Sequence, residues 1–130
     1  MPAASASTHP PSLQAFEVGI DPAHTSFLHR FFEDESLDGA YGRQFRGASA
    51  GDMDGQRWPM SRIMREFHRP RISVETMPYG MRLTTLRPMT PSQTHVRVTH
   101  ALFPHTFVIP LSETITITQL HVPVDDTHTY

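Results

Sequence analysis

The C-terminal part of this chain is written in period two, and that constrains its fold more than any other feature. From Trp58 onward the pattern is one of alternation. RISVET (71–76) and MRLTTL (81–86) flank MPYG, and THVRVTHALF (94–103) sets Val96 and Val98 against His95, Arg97 and Thr99. TFVIPL follows, and ETITITQLHV (113–122) sets Ile115 and Ile117 against Thr114, Thr116 and Thr118. Successive strand side chains point to opposite faces, so β-branched residues alternating with polar ones suit a sheet with one covered face. The Pro/Gly punctuation of MPYG closes the first pair into a hairpin. The expected result is an antiparallel meander.

What precedes the meander supplies the cover. Asp21 followed by Pro22 is a good helix start, with the aspartate as N-cap and proline at the first helical position, and the helix is expected to run from about Asp21 to Phe32. Residues 33–57 are acidic and then Gly/Ala/Ser rich, and read as a loop with room for a short helical turn around Leu37 to Phe45. The fold class is therefore α+β, an early helix packed on one face of an antiparallel sheet. Residues 1–12, rich in Ala, Ser and Pro, read as a disordered or unrelated leader, and 13–130 as a single domain.

Composition narrows the functions. The eleven basic residues are all arginine and are scattered, and net charge is −2, which argues against nucleic acid or a membrane surface as the main partner. There is no apolar run long enough to span a bilayer and no secretory signal, so a cytoplasmic location is expected. Cysteine is absent, which excludes disulfides, thiolate zinc sites and an iron–sulfur cluster borne by this chain.

Within GIDPAHTSFLHR, Asp21, His24 and His29 form the one constellation with metal chemistry in it. Two imidazoles and a carboxylate are the minimal set that holds non-haem iron(II) while leaving positions open for dioxygen and substrate. An N-cap role is the equal alternative for Asp21. Residues three apart share a helix face, whereas five apart they diverge by roughly 140°. A single ion held by both histidines thus requires a widened or broken helix between them. His95, His100 and His105 repeat the spacing in strand-like sequence, where residues five apart face opposite ways, and read as structural or surface histidines. Asp125 and Asp126 read as a solvated turn.

LQAFEVGIDPAHTSFLHR resembles the mononuclear-iron motif, Asp-x-x-His-x-x-x-x-His, of the oxygenase (alpha) subunits of Rieske non-haem iron oxygenases. AYGRQFRG, YGMRLTTLR, THVRVTHALFPHTFVIPL and TITQLHVPVDDTHTY extend the resemblance to the catalytic domain of the phthalate, phenoxybenzoate and carboxyvanillate-demethylase branch, over about Leu13 to Tyr130. That resemblance implies a helix-grip (START/Bet v 1-like) fold, a curved antiparallel sheet around a long C-terminal helix. Here it would have an N-terminal metal-bearing helix and lack the closing C-terminal helix. It implies His24 and His29 as ligands of a mononuclear Fe(II). It makes Asp21 an electron bridge to the Rieske centre of a neighbouring subunit. The family's third ligand, a carboxylate on a late helix, and the [2Fe–2S] Rieske cluster of the full-length enzyme have no counterpart in this sequence, so the chain reads as a fragment that is inactive alone.

The implied function is part of the oxygenase component of an oxidoreductase that hydroxylates or O-demethylates an aromatic acid. The implied partners are a reductase or ferredoxin donor and, in the full-length enzyme, two further subunits of a homotrimer. Arg43, Arg46 and Arg82 are candidates to pair with a substrate carboxylate through their bidentate fork, with surface salt bridges as the alternative. A non-catalytic helix-grip ligand-binding module and an inactive, aggregation-prone fragment are the other readings.

Overall fold

The structure, a computed structural model, describes residues 11–28, 58–111, 115–125 and 128–130. Five strands follow one another as the alternation predicts: β1 (Arg71–Met77), β2 (Gly80–Thr90), β3 (Gln93–Leu102), β4 (Thr106–Pro110) and β5 (Thr116–Leu120). They form one antiparallel sheet in the order β1-β2-β3-β4-β5. Only Pro78 and Tyr79 lie between the paired residues Met77 and Gly80. Gly80 has φ +146°, and a Cβ there would stand 2.0 Å from the Ala101 carbonyl oxygen, so glycine is required on both counts.

Among the described residues three helices accompany the sheet: α1 (Pro11–Ile20), α2 (Thr25–Leu28) and α3 (Met60–Glu66). α1 opens on proline, whose fixed φ suits a first helical position, and stops before Asp21, which precedes Pro22 and is biased away from helical backbone. It begins at Pro11, inside the stretch whose composition suggested a leader through residue 12. Phe16 and Ile20, four apart, share the face of α1 that meets the sheet. The Phe16 ring lies 5.1 Å from that of Phe107, which is fully buried, and Leu83 and Ala101 complete the core. Gly19 lets the two elements close: a Cβ at that position would fall 2.1 Å from Phe107 Cζ.

Two expectations need correction. The helix placed from Asp21 to Phe32 begins only at Thr25, after a turn over Pro22, Ala23 and His24. Residues 29–57, with His29 and the loop around Arg43 and Arg46, lie outside the described residues. Period two, read from Trp58, holds only from Arg71, because Met60–Glu66 is helical. Seven residues give too little length for a helical period to register, yet Ile63 and Met64 are buried and Arg62 pairs with Glu66 one turn on, at 2.8 Å.

The registers assign every strand residue to a face. Ile72, Val74, Leu83, Thr85, Arg87, His95, Arg97, Thr99, Ala101, Phe107, Ile109, Ile117 and Gln119 share the side that carries the helices. On β3 the covered set is thus the polar one: Thr99 is buried while Val96, on the other side, is 55% exposed. Arg82 also faces away from the helices, paired with Glu75 at the surface.

Candidate functional site

The turn between α1 and α2 holds the first two residues of the metal motif. An Asp21 carboxylate oxygen accepts the Ala23 N–H at 2.8 Å, two residues on, closing the turn ahead of α2 and not capping the helix itself. His24 Nδ1 lies 2.5 Å from the Asp21 backbone oxygen and must donate to it, since a carbonyl can only accept. That bond fixes the tautomer and leaves Nε2 as the atom with which His24 can hold a metal, the usual arrangement of a ligating histidine. The imidazole thus donates to the main-chain carbonyl of Asp21, while the Asp21 carboxylate closes the turn. Asp21 itself is exposed.

The turn forms one wall of a cavity of about 190 Å³ against the covered face of the sheet. Gly19, Ile20, Asp21, Pro22, His24 and Thr25 line it from the helical side, and Arg97, Thr99, Ile109, Leu111, Ile117 and Gln119 from the strands. A dry apolar cavity of roughly 150 Å³ takes up benzene, so this space has room for one substituted aromatic ring. Isoleucines supply most of its apolar lining, Arg97 its cationic group on the strand side, and Asp21 a carboxylate at the helical side.

Below the cavity the sheet is unusually polar. Thr85 pairs in register with Arg97, and Arg87 with His95, giving a block of four on the covered face. Each holds a buried atom with no hydrogen-bond partner among the described residues: Thr85 Oγ1, Arg87 Nη1, His95 Nδ1 and Arg97 Nε. Burial, and then the neighbouring Arg87 charge, lowers the Arg97 pKa to about 10, so the guanidinium remains protonated at neutral pH. Burial, reinforced by Arg87 and Arg97, pushes His95 down to about 4. No carboxylate among the described residues pairs with Arg87 or Arg97.

His95 gives the fold a measurable pH dependence. Its folded pKa lies below the ordinary value of 6.5, so the unfolded chain binds more protons in between. The stability that a neutral His95 permits is full above pH 6.5 and is lost as pH falls towards 4. Allowing for the ring's residual exposure, the loss is on the order of 2 kcal/mol. Urea unfolding of the chain and of His95→Gln at pH 7 and 4.5 should show a smaller decline in the variant. Equal declines would mean that the ring is solvated.

The remaining sequence candidates separate. His95 lies on the covered face, and His100 on the opposite one with its ring 6.3 Å from Tyr79. Asp125 accepts both the main-chain N–H and Nδ1 of His128, closing an exposed turn. Arg97 and Arg87 escaped the sequence reading. Their only signal was a charged residue at each of two positions of opposite strands that pairing makes near neighbours. Among the described residues no group of three His, Asp or Glu side chains could hold a metal ion. No helix among the described residues is long and apolar enough to cross a membrane.

An α+β chain with a histidine-bearing turn over a cavity floored by an arginine is the class that this geometry defines. The family to which it belongs is the LigXa C-terminal domain-like family, which matches residues 8–130. The oxygenase subunit of phthalate 4,5-dioxygenase from Pseudomonas putida is 34% identical over 119 residues, covering 89% of this chain and 24% of that subunit. The chain thus spans about a quarter of the length of the curated relative it matches. No solved structure matches it. The resemblance to the oxygenase subunits of the phthalate branch, read from the motifs, is borne out.

Proposed function

We propose that this chain contributes the substrate-binding and iron-holding part of a Rieske-type oxygenase acting on an aromatic acid. The observation that carries the reading is the cavity itself, with His24 on one wall and Arg97, whose Nε has no partner among the described residues, on the other. In this proposal His24, through Nε2, and His29 hold a mononuclear Fe(II). When bound, that ion supplies dioxygen activation for hydroxylation or O-demethylation, with electrons from a reductase or ferredoxin by way of a [2Fe–2S] centre elsewhere in the enzyme.

The chain's own residues do the rest. Ile20, Ile109 and Ile117 accept the flat apolar ring, and the Arg97 guanidinium receives a ring carboxylate by charge-assisted hydrogen bonds. Thr99 and Gln119 add neutral polar groups to the same wall. Asp21, exposed beside His24, would meet a neighbouring subunit and pass electrons across that contact, as expected of a trimer. Ile72 and Val74 are 44% and 55% exposed on the side that carries the helices, which supports a helix-grip sheet completed by a further helix. The relative acts on phthalate by its name, and an aryl dicarboxylate is the first substrate to test.

A titration of the chain with Co(II), read by visible absorbance, tests the metal half of the proposal. Two imidazoles without their carboxylate partner should bind the ion weakly, and His24→Ala should weaken this at least tenfold. The same affinity in the chain and in the variant would overturn the iron reading. Phthalate uptake indifferent to chelators and to His24→Ala would favour a ligand-binding module instead.

A further inference from the structure

Arg87 stands on β2, fully buried, and reaches from the sheet into the helical layer. Its Nε donates to the Phe67 carbonyl at 3.1 Å, just past the end of α3. Its Nη2 donates to the Pro22 carbonyl at 3.1 Å and to Ser26 Oγ at 3.4 Å. One rigid, planar fork thus ties the sheet to α2, to the end of α3 and to the turn that carries His24. A lysine, a single point donor on a flexible stem, could not hold all three.

The Pro22 contact is the consequential one. The carbonyl that accepts from His24 Nδ1 belongs to Asp21, in the peptide unit joining it to Pro22. Fixing the Pro22 carbonyl limits how the turn can rotate, and with it where the Asp21 carbonyl points. Thr25 Oγ1 braces the same Pro22 oxygen at 3.1 Å. We infer that Arg87 is a positioning residue: it sets the Asp21–Pro22 turn so that His24 stays protonated at Nδ1 and presents Nε2 as a ligating atom. The tautomer half stands on the geometry alone; the ligating half rests on the proposed iron site.

The test compares the 130-residue chain with Arg87→Lys and Arg87→Met. Nitrogen-15 NMR of the neutral His24 ring reads the fraction protonated at Nδ1, and amide exchange in the β2–β3 hairpin reads whether the sheet is intact. The wild-type ring should be mainly Nδ1–H. Arg87→Lys should lower that fraction and Arg87→Met should lower it further, while hairpin protection persists. Co(II) affinity should fall in step, about tenfold for Arg87→Met. Folded variants that keep the wild-type tautomer overturn the inference, and if Arg87→Met does not fold, Arg87→Lys decides by the same criterion. If Co(II) binding by the wild-type chain ignores His24, the iron reading fails while the tautomer comparison still judges Arg87.

Discussion

Phe107→Ala should leave the chain without a cooperative unfolding transition near room temperature. The ring is fully buried, stacked obliquely on Phe16 and 4.8 Å from His121, with Leu83 and Ala101 beside it. Truncating a buried phenylalanine costs about 3–5 kcal/mol through lost transfer energy and the cavity left behind. Small domains have only about 5–15 kcal/mol in all. The described core is narrow, with Phe107 joining α1 to strands β2, β3 and β4, so little else would keep α1 docked. Near-UV circular dichroism and urea unfolding provide the check. A variant that unfolds within 1 kcal/mol of the wild type would show that the cluster repacks around the void.

Arg97→Met should do the reverse: weaken acid binding while leaving the chain as stable as before or more so. A largely buried cation with no carboxylate partner among the described residues is a burden on the fold, and an apolar side chain of similar volume in its place is often neutral or stabilising. The same cation, proposed as the carboxylate acceptor, contributes charge-assisted hydrogen bonds of about 1.5–3 kcal/mol, so removing it should weaken phthalate binding roughly 10- to 150-fold. Thermal melts with and without phthalate separate the two effects. The wild-type chain should gain in melting temperature on adding the acid, and the variant should not. A variant that melts lower and still responds to phthalate would show that Arg97 holds the fold together and leaves the acid to other groups.

The meander was legible because its signal is local: alternation and the MPYG turn specify the order and pairing of β1 to β5, though β2 runs on to Thr90 past the segment read and β5 is shorter than the stretch that alternates. Which face would be covered was not. Alternation divides β3 into two sets without saying which is inside, and here His95, Arg97 and Thr99 face the helices while Val96 looks out. The motif turn was half legible. Asp21 does close the turn and His24 does face the cavity, but the backbone completes that turn before helical geometry begins. α1 had a readable mark in Pro11 and the Phe16/Ile20 spacing, masked by a leader-like composition next to it. The arginine clamp had none, because three acceptors at positions 22, 26 and 67 meet one donor only once the sheet has formed.

The Ser26 hydroxyl donates to the sulfur of Met64 at 3.6 Å, and Thr25 Oγ1, whose one proton goes to the Pro22 carbonyl, lies 3.4 Å from the same sulfur, immediately behind the histidine turn. A thioether in that position ages in a particular way. Conversion to the sulfoxide would place a strong acceptor, and an extra oxygen atom, in the packed space between α2 and α3. For a protein whose relatives handle dioxygen, stray oxidants would then strike first at the prop beneath the site, and a chain lacking thiols altogether could not divert them to a disulfide.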